Sequence, residues 1–494
     1  MKPSMTINTL KAFKQENTSQ KFVTKYWKPI LNIRQHEHPL YLNMKQLLLF
    51  CLLMGFFSAT KAQEKDPTIL EVPQTFSLEA AIEFALEHNY KMINASRDIR
   101  DAQLQKWETI AGGLPQIEAA LSYNNQLEQP VSLIPGEFTG GEPGTFVPIV
   151  FGQPQQAAAS VSLRQQIFDG SYIVGVQAVQ TFIRYSANNK EKTAQEVVKM
   201  VVQAYGNALM AQEGVKIVRN NRDNLAQSVS ETKAVLANGL VEEEQLEQLQ
   251  ITLSNVESQL RNFTRLEKIS LQLFNLSLGI PIENPSSLSD KLDVLATQHT
   301  DLSLVANSLE ITQNVDYKLV LNLNEQRALE LKLAKSRALP TLNSFINYGS
   351  NAFSDSFTFL NGSQQWFNSS VLGVDLRIPI FSSFRRDAST KRAKIALLKS
   401  QTQLLEASEG IRLQWEQAKS SFVMAVENHR TAQENLGLAA RIAQKNELKF
   451  KAGLAGSFDL RQAQLQLYTA QQTYLEAMVN VINEKTNLAQ ILNQ

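Results

Sequence analysis

The sequence predicts an α+β membrane protein made of two copies of one half, in which short barrel strands are joined to very long helical hairpins. Three observations predict it. Laying Gly239 on Gly453 sets an offset of 214 residues, at which Leu246, Leu249 and Leu253 fall on Leu460, Ala463 and Leu467, and Leu278 falls on Leu492. Such self-similarity marks an internal duplication. The run from Asp169 to Asn238 contains no proline over 70 residues, and as helix it would span roughly 105 Å. After Leu114-Pro115 and again after Leu339-Pro340 the apolar period changes from 3.6 to 2, which is the change from helix to a strand with two different faces.

Composition narrows the class. The 494 residues carry a formal net charge of +1, so no whole-chain basic field is available to draw in nucleic acid. The single cysteine is Cys51, and none of the five histidines (His36, His38, His88, His299, His429) has metal-ligand spacing in a folded region. Leu47–Phe57 is an apolar run preceded by Lys45 and followed by Thr60-Lys61-Ala62, the pattern of a secretory signal peptide over 44–62. Residues 1–43 then read as a lead from a mis-called start, with translation beginning at Met44. No later segment approaches the length of a transmembrane helix, so the mature chain is periplasmic, extracellular or a membrane β-barrel. A linker over 63–76 precedes the folded part.

Two structural repeats follow, 77–280 and 303–494, separated by a linker or equatorial segment at 281–302. In the first, Ser77-Leu78-Glu79-Ala80-Ala81-Ile82 opens a helix, with Ser77 as N-cap and an acid in the first turn. That helix runs 36 residues, from Ser77 to Gly112, and its second copy covers Ser303–Ala338. Asn89 and Asn314 each stand 25 residues before the closing Leu114 and Leu339. Pro115 and Pro340 redirect helix into strand. The β-hairpin 116–168 sets Ile117, Ala119, Leu121 and Tyr123 on one face, then Ala159, Val161, Leu163 and Ile167. The β-hairpin 341–381 alternates Leu342, Ile346 and Tyr348, then Leu372, Val374, Leu376, Ile378 and Ile380, with Phe345 out of pattern. Phe138, Phe146, Phe151, Phe353, Phe357, Phe359, Trp366 and Phe367 cluster around the long loops Gln126–Gln156 and Gly349–Gln365, as expected of an aromatic membrane interface or of loops packed on themselves. Each hairpin leads into a long helix that turns at a tip, 239 or 453, and returns along a 3-4-3-4 seam suited to coiled-coil packing.

Four strands cannot close a barrel, and an open edge in lipid leaves backbone groups unsatisfied. Closure therefore needs several copies, with three or more favoured because twelve strands leave a passage. The signal peptide, the Ser77–Ile82 opening, the Leu-Pro helix ends, the paired hairpins and the Gly-Leu turns resemble the TolC-type outer-membrane efflux channels from about Ser77 to the C-terminus. The resemblance implies a homotrimer, with a twelve-stranded barrel in outer-membrane lipid and a periplasmic α-helical coiled-coil barrel. It also implies docking to a periplasmic adaptor (membrane fusion) protein and an inner-membrane pump of the resistance-nodulation-division or ABC type. Such a chain would be the exit duct of a tripartite efflux or type I secretion system for drugs, toxic compounds or proteins.

Carried over residue by residue, Gly239, Leu240, Val241, Gly453, Leu454 and Ala455 match the family's adaptor-contact turns. The family's charged periplasmic gate maps onto Asp459 and Gln462, their first-half counterparts Gln245 and Gln248, and Phe450. Only Asp459 there is a carboxylate, so a trimer would present one ring of three charges rather than two rings. No phosphate-cradling loop, metal set or nucleophile elbow is present, so neither catalysis, a metal nor a cofactor is expected. The alternative is a periplasmic coiled-coil scaffold or binding protein whose strands form a small soluble sheet.

Overall fold

The computed structural model describes residues 73–493. The lead, the signal peptide, Met44 and Cys51 lie outside the described residues. In chain order the first repeat comprises β1 (Thr75–Phe76), α1 (Leu78–His88), α2 (Tyr90–Ala111), β2 (Gln116–Asn125), β3 (Val131–Pro135), β4 (Phe146–Val150), β5 (Gln155–Asp169), α3 (Gly170–Ala237) and α4 (Glu243–Leu278). Next come β6 (Ser287–Leu288), α5 (Leu292–Gln298), α6 (Val315–Ser336), β7 (Thr341–Ser354), β8 (Phe367–Arg377), α7 (Arg385–Lys451) and α8 (Ser457–Leu492).

The short helices differ from the two unbroken 36-residue runs expected. The first breaks at Asn89 into α1 and α2, and the second has short 3-10 turns at Leu302–Ala306 and Ile311–Gln313 before α6. The cause is one device used twice. Asn89 caps α2 by accepting from Lys91 N at 2.8 Å, and its Nδ2 donates to Ser277 O at 2.7 Å. Asn314 caps α6 through Asp316 N at 3.0 Å and donates to Ile491 O at 3.1 Å. A side chain that satisfies a helix start and the end of another helix joins the two end to end. The returning helices stop at matching left-handed residues, Gly279 (φ 83°) and Asn493 (φ 59°), the usual αL cap.

β2-β5-β7-β8 form a four-stranded antiparallel sheet. In register, Ile117, Leu163, Ile346 and Leu372 share one face. Arg164, Phe345 and Gly373 share the other, with Gln166, Asn343 and Asp375 one step along. Both faces are open over most of their length: Leu121 is 85% and Leu372 75% exposed, while Gln116, Glu118, Asn347 and Asp375 are exposed on the polar side. Phe345 sits among polar neighbours because its ring fills the space over Gly373, where a Cβ would lie 2.3 Å from Phe345 Cζ. A β-bulge between Gln166 and Phe168 places Phe168, not Ile167, opposite Leu342, since one extra residue shifts the alternation. β8 ends at Arg377, so Ile378 and Ile380 are not strand residues. Pro379 has no N–H for the ladder, and the chain turns into α7 through Ser383 and Phe384 at positive φ.

The long helices order the wall. Above the splice α3 packs between α2 and α6, and α6 packs on α7; below it α3 packs between α4 and α8, and α8 packs on α7. Lys318–Glu191 (2.9 Å), Lys192–Asp316 (2.7 Å) and Arg184–Glu325 (2.7 Å) tie α6 to α3. The main core lies at the splice level, around Phe76, Tyr205, Phe274, Leu278 and Ile482. There Asp290 Oδ2 accepts from Tyr205 Oη at 2.9 Å and from Leu78 N at 2.8 Å. β1, which lies within the expected linker, pairs in parallel with β6.

Candidate functional site

The two helical tips are built alike. Gly239 N donates to Leu236 O and Leu240 N to Val235 O, while Gly453 N donates to Phe450 O and Leu454 N to Lys449 O. This 5→2 and 6→1 pair is the Schellman closure, which requires the positive φ of 70° at Gly239 and 71° at Gly453. No atom lies within 4 Å of a Cβ placed at either glycine, so the turns stand open. Leu240 is 75% and Leu454 79% exposed, whereas Val241 and Ala455 are half-buried.

Behind the tips, Leu249, Val256 and Leu460 are buried with Val218 and Leu225, and the seam residues Leu246 and Ala463 are also buried. Phe450 is half-buried and packs against this cluster. Asp459 and Gln462 are exposed on the first turns of α8, while Gln245 is half-buried on α4. Gln248 forms a link the sequence did not suggest. It accepts from Ser457 Oγ at 2.9 Å and donates to Glu244 Oε1 at 2.9 Å, tying the start of α8 to α4. Phe458 was also missed: it is exposed at the start of α8, with the Arg461 guanidinium 5.4 Å from its ring centre. An isolated aromatic after a turn carries no periodic signal, so only the placed backbone reveals it.

At the other end, Pro115 and Pro340 each stand one residue before a strand, β2 and β7. Tyr172 closes over Gly113, and its Oη donates to Ile110 O at 3.1 Å. The second loop folds onto the apolar face: Phe359 and Trp366 cover Ala157 and Ala352, and Tyr123 meets Phe357 and Phe359 edge-on at 5.5 and 5.8 Å. The aromatics therefore pack on one another and also form a rim on the apolar side. Among the described residues no helix is long and apolar enough to cross a membrane.

Residues 321–494 match the outer membrane efflux protein family. The chain is 24% identical over 355 residues to the outer membrane protein TolC of Vibrio cholerae, covering 68% of this chain and 76% of that protein. Its fold is similar to the CmeC outer membrane channel of Campylobacter jejuni, with TM-score 0.66, 16% identity, and 84% and 85% of the two chains covered. It is also similar to the open state of the MtrE channel of Neisseria gonorrhoeae, with TM-score 0.63, 14% identity, and 87% and 94% covered. These relatives are channels, not enzymes. Residues 321–494 carry the outer membrane efflux protein pattern directly, the first half repeats it at a fixed offset, and the whole adopts the fold of the outer-membrane channels, so the chain is similar to the TolC-type outer-membrane efflux proteins.

Proposed function

We propose that three copies close into one duct and that the Leu240 and Leu454 tips seat a periplasmic adaptor, which couples the duct to an inner-membrane pump of the resistance-nodulation-division or ABC type. Small toxic molecules or proteins are the cargo class. One observation carries this reading: the sheet and the helical layer of the protomer both end in uncovered edges. The sheet is bare at β2 and at β8. α3 has a short helix on each flank, whereas α7 has α6 and α8 on one side only. Its free side exposes Leu398, Leu405, Leu413, Leu438 and Leu448, while α2 exposes Leu104 and Trp107, and α4 exposes Ile251, Ile269 and Leu273. An edge that fits the opposite edge of the next copy generates a closed ring. Twelve strands leave a passage where eight would be filled by side chains.

In detergent the mature chain is expected to run at the mass of three copies and to shift on heating. Leu240→Asp with Leu454→Asp is expected to keep that trimer and to lose adaptor copurification at least tenfold. Native retention of adaptor by the double variant would remove the docking role. Asp459 supplies the charged ring near the tips, so Asp459→Asn is expected to weaken cation block of single-channel current; an unchanged current would discard it as a gate residue.

A further inference from the structure

The connection between β2 and β5 exposes apolar surface that no other described residue covers. β3 and β4 pair Val131 with Val150, Leu133 with Pro148 and Pro135 with Phe146, and all six side chains are exposed. Leu133 is 64% and Phe146 63% exposed. Ile134, Val147 and Ile149 are half-buried on the reverse face, and Phe138 and Phe151 are exposed at the tip and root. The hairpin meets its own barrel at the root, where Gln126 N donates to Pro154 O at 2.8 Å and Gln129 Nε2 to Gly152 O at 3.3 Å. A hairpin face made only of apolar residues, on a segment that leaves the barrel rim, marks a contact surface.

We propose that the β3–β4 hairpins of neighbouring copies pack these faces against one another across the outer mouth and close it as a lid. The proposal rests on the ring reading, which places β2 beside the next copy's β8, so each hairpin springs from a seam between copies. Reach allows it. A five-residue strand spans about 17 Å. Twelve strands about 4.8 Å apart and tilted about 40° give a rim of roughly 12 Å radius. Charge argues against lipid as the cover: residues 126–154 carry Glu128, Glu137 and Glu142 and no Lys or Arg, and an acidic segment is repelled by anionic headgroups. The lipid side of the rim is occupied instead by Tyr123, Phe357 and Phe359. Nothing covalent holds the lid, so outgoing cargo would part side-chain contacts alone.

The test uses the full chain in intact cells, with Asn347→Cys as reporter, since Asn347 is exposed on the polar, lumen-side face. Labelling by a membrane-impermeant maleimide added outside is expected to be slow, and about tenfold faster when Leu133→Asp and Phe146→Asp are added. Equal rates in verified trimers would overturn the lid. In a second arm, Leu133→Cys is expected to form disulfide-linked pairs of copies on oxidation. No crosslink, with strong quenching of a bimane label there by spin-labelled lipid, would assign the face to the membrane and overturn the proposal. A native chain that is monomeric in detergent would sink the ring reading itself, a failure visible before either labelling result is read.

Discussion

His429 shows how one residue departs from the repeat. At the 214-residue offset it stands where the first half has Val215, and its ring partner Tyr474 stands where the first half has Leu260. The two rings stack at 5.4 Å, and His429 Nε2 is buried without a hydrogen-bond partner. Burial lowers its pKa from the ordinary histidine value near 6.5. A folded pKa below the unfolded one means that acid stabilises the unfolded chain. The fold therefore keeps its full stability above about pH 6.5 and loses it as pH falls toward the depressed folded value. His299, likewise lowered by burial, adds a loss of the same sign. Thermal unfolding in detergent is expected to show a clear fall in Tm from pH 7.5 to 5.0, and a smaller fall for His429→Phe. An identical fall in the variant would show that His429 does not titrate within the fold.

At the scale of elements, the joints between helices are more constrained than the helices themselves. Glycines at tip and splice share a positive φ but not their surroundings. At Gly239 nothing lies within 4 Å of an added Cβ, whereas at Gly279 that atom would stand 2.4 Å from His88 O and 2.8 Å from Asn89 Cα. Gly239→Ala is expected to cost only the backbone strain, about 1 kcal/mol. Gly279→Ala must also push the splice apart, at ~3 kcal/mol or more. The difference in denaturant midpoint between the two variants measures the joint; equal midpoints would mean that the splice yields freely. The helical seams were readable beforehand because Leu249, Val256 and Leu460 repeat at coiled-coil spacing. The break at Asn89 was not, because asparagine inside a polar helical stretch gives no warning unless the carbonyl it meets, Ser277 O, is placed beside it.

Considered whole, the protomer is an incomplete object. Its sheet exposes apolar residues on one face and polar residues on the other, which only lipid outside and water inside would satisfy together. α7 carries leucines along a flank that no other element covers. A chain with uncovered apolar edges lowers its free energy by burying them, and the heat-modifiable trimer is the outcome expected of the proposed ring.

The sequence by itself determined the duplication, the two tips, the four barrel strands and the helices too long for a compact domain. All of these are periodic or local, and a period survives without coordinates. The tertiary structure alone decided where the short helices break, that Phe345 rests over Gly373, that Gln248 binds Ser457, and that the first loop holds a second, apolar hairpin. Pro135 and Pro148 hid that hairpin, because prolines argue against a strand until the pairing shows which backbone groups the ladder leaves free. The physical reason is common to all four. Each depends on which groups meet across hundreds of residues or across a strand, and a linear pattern records spacing but not encounter.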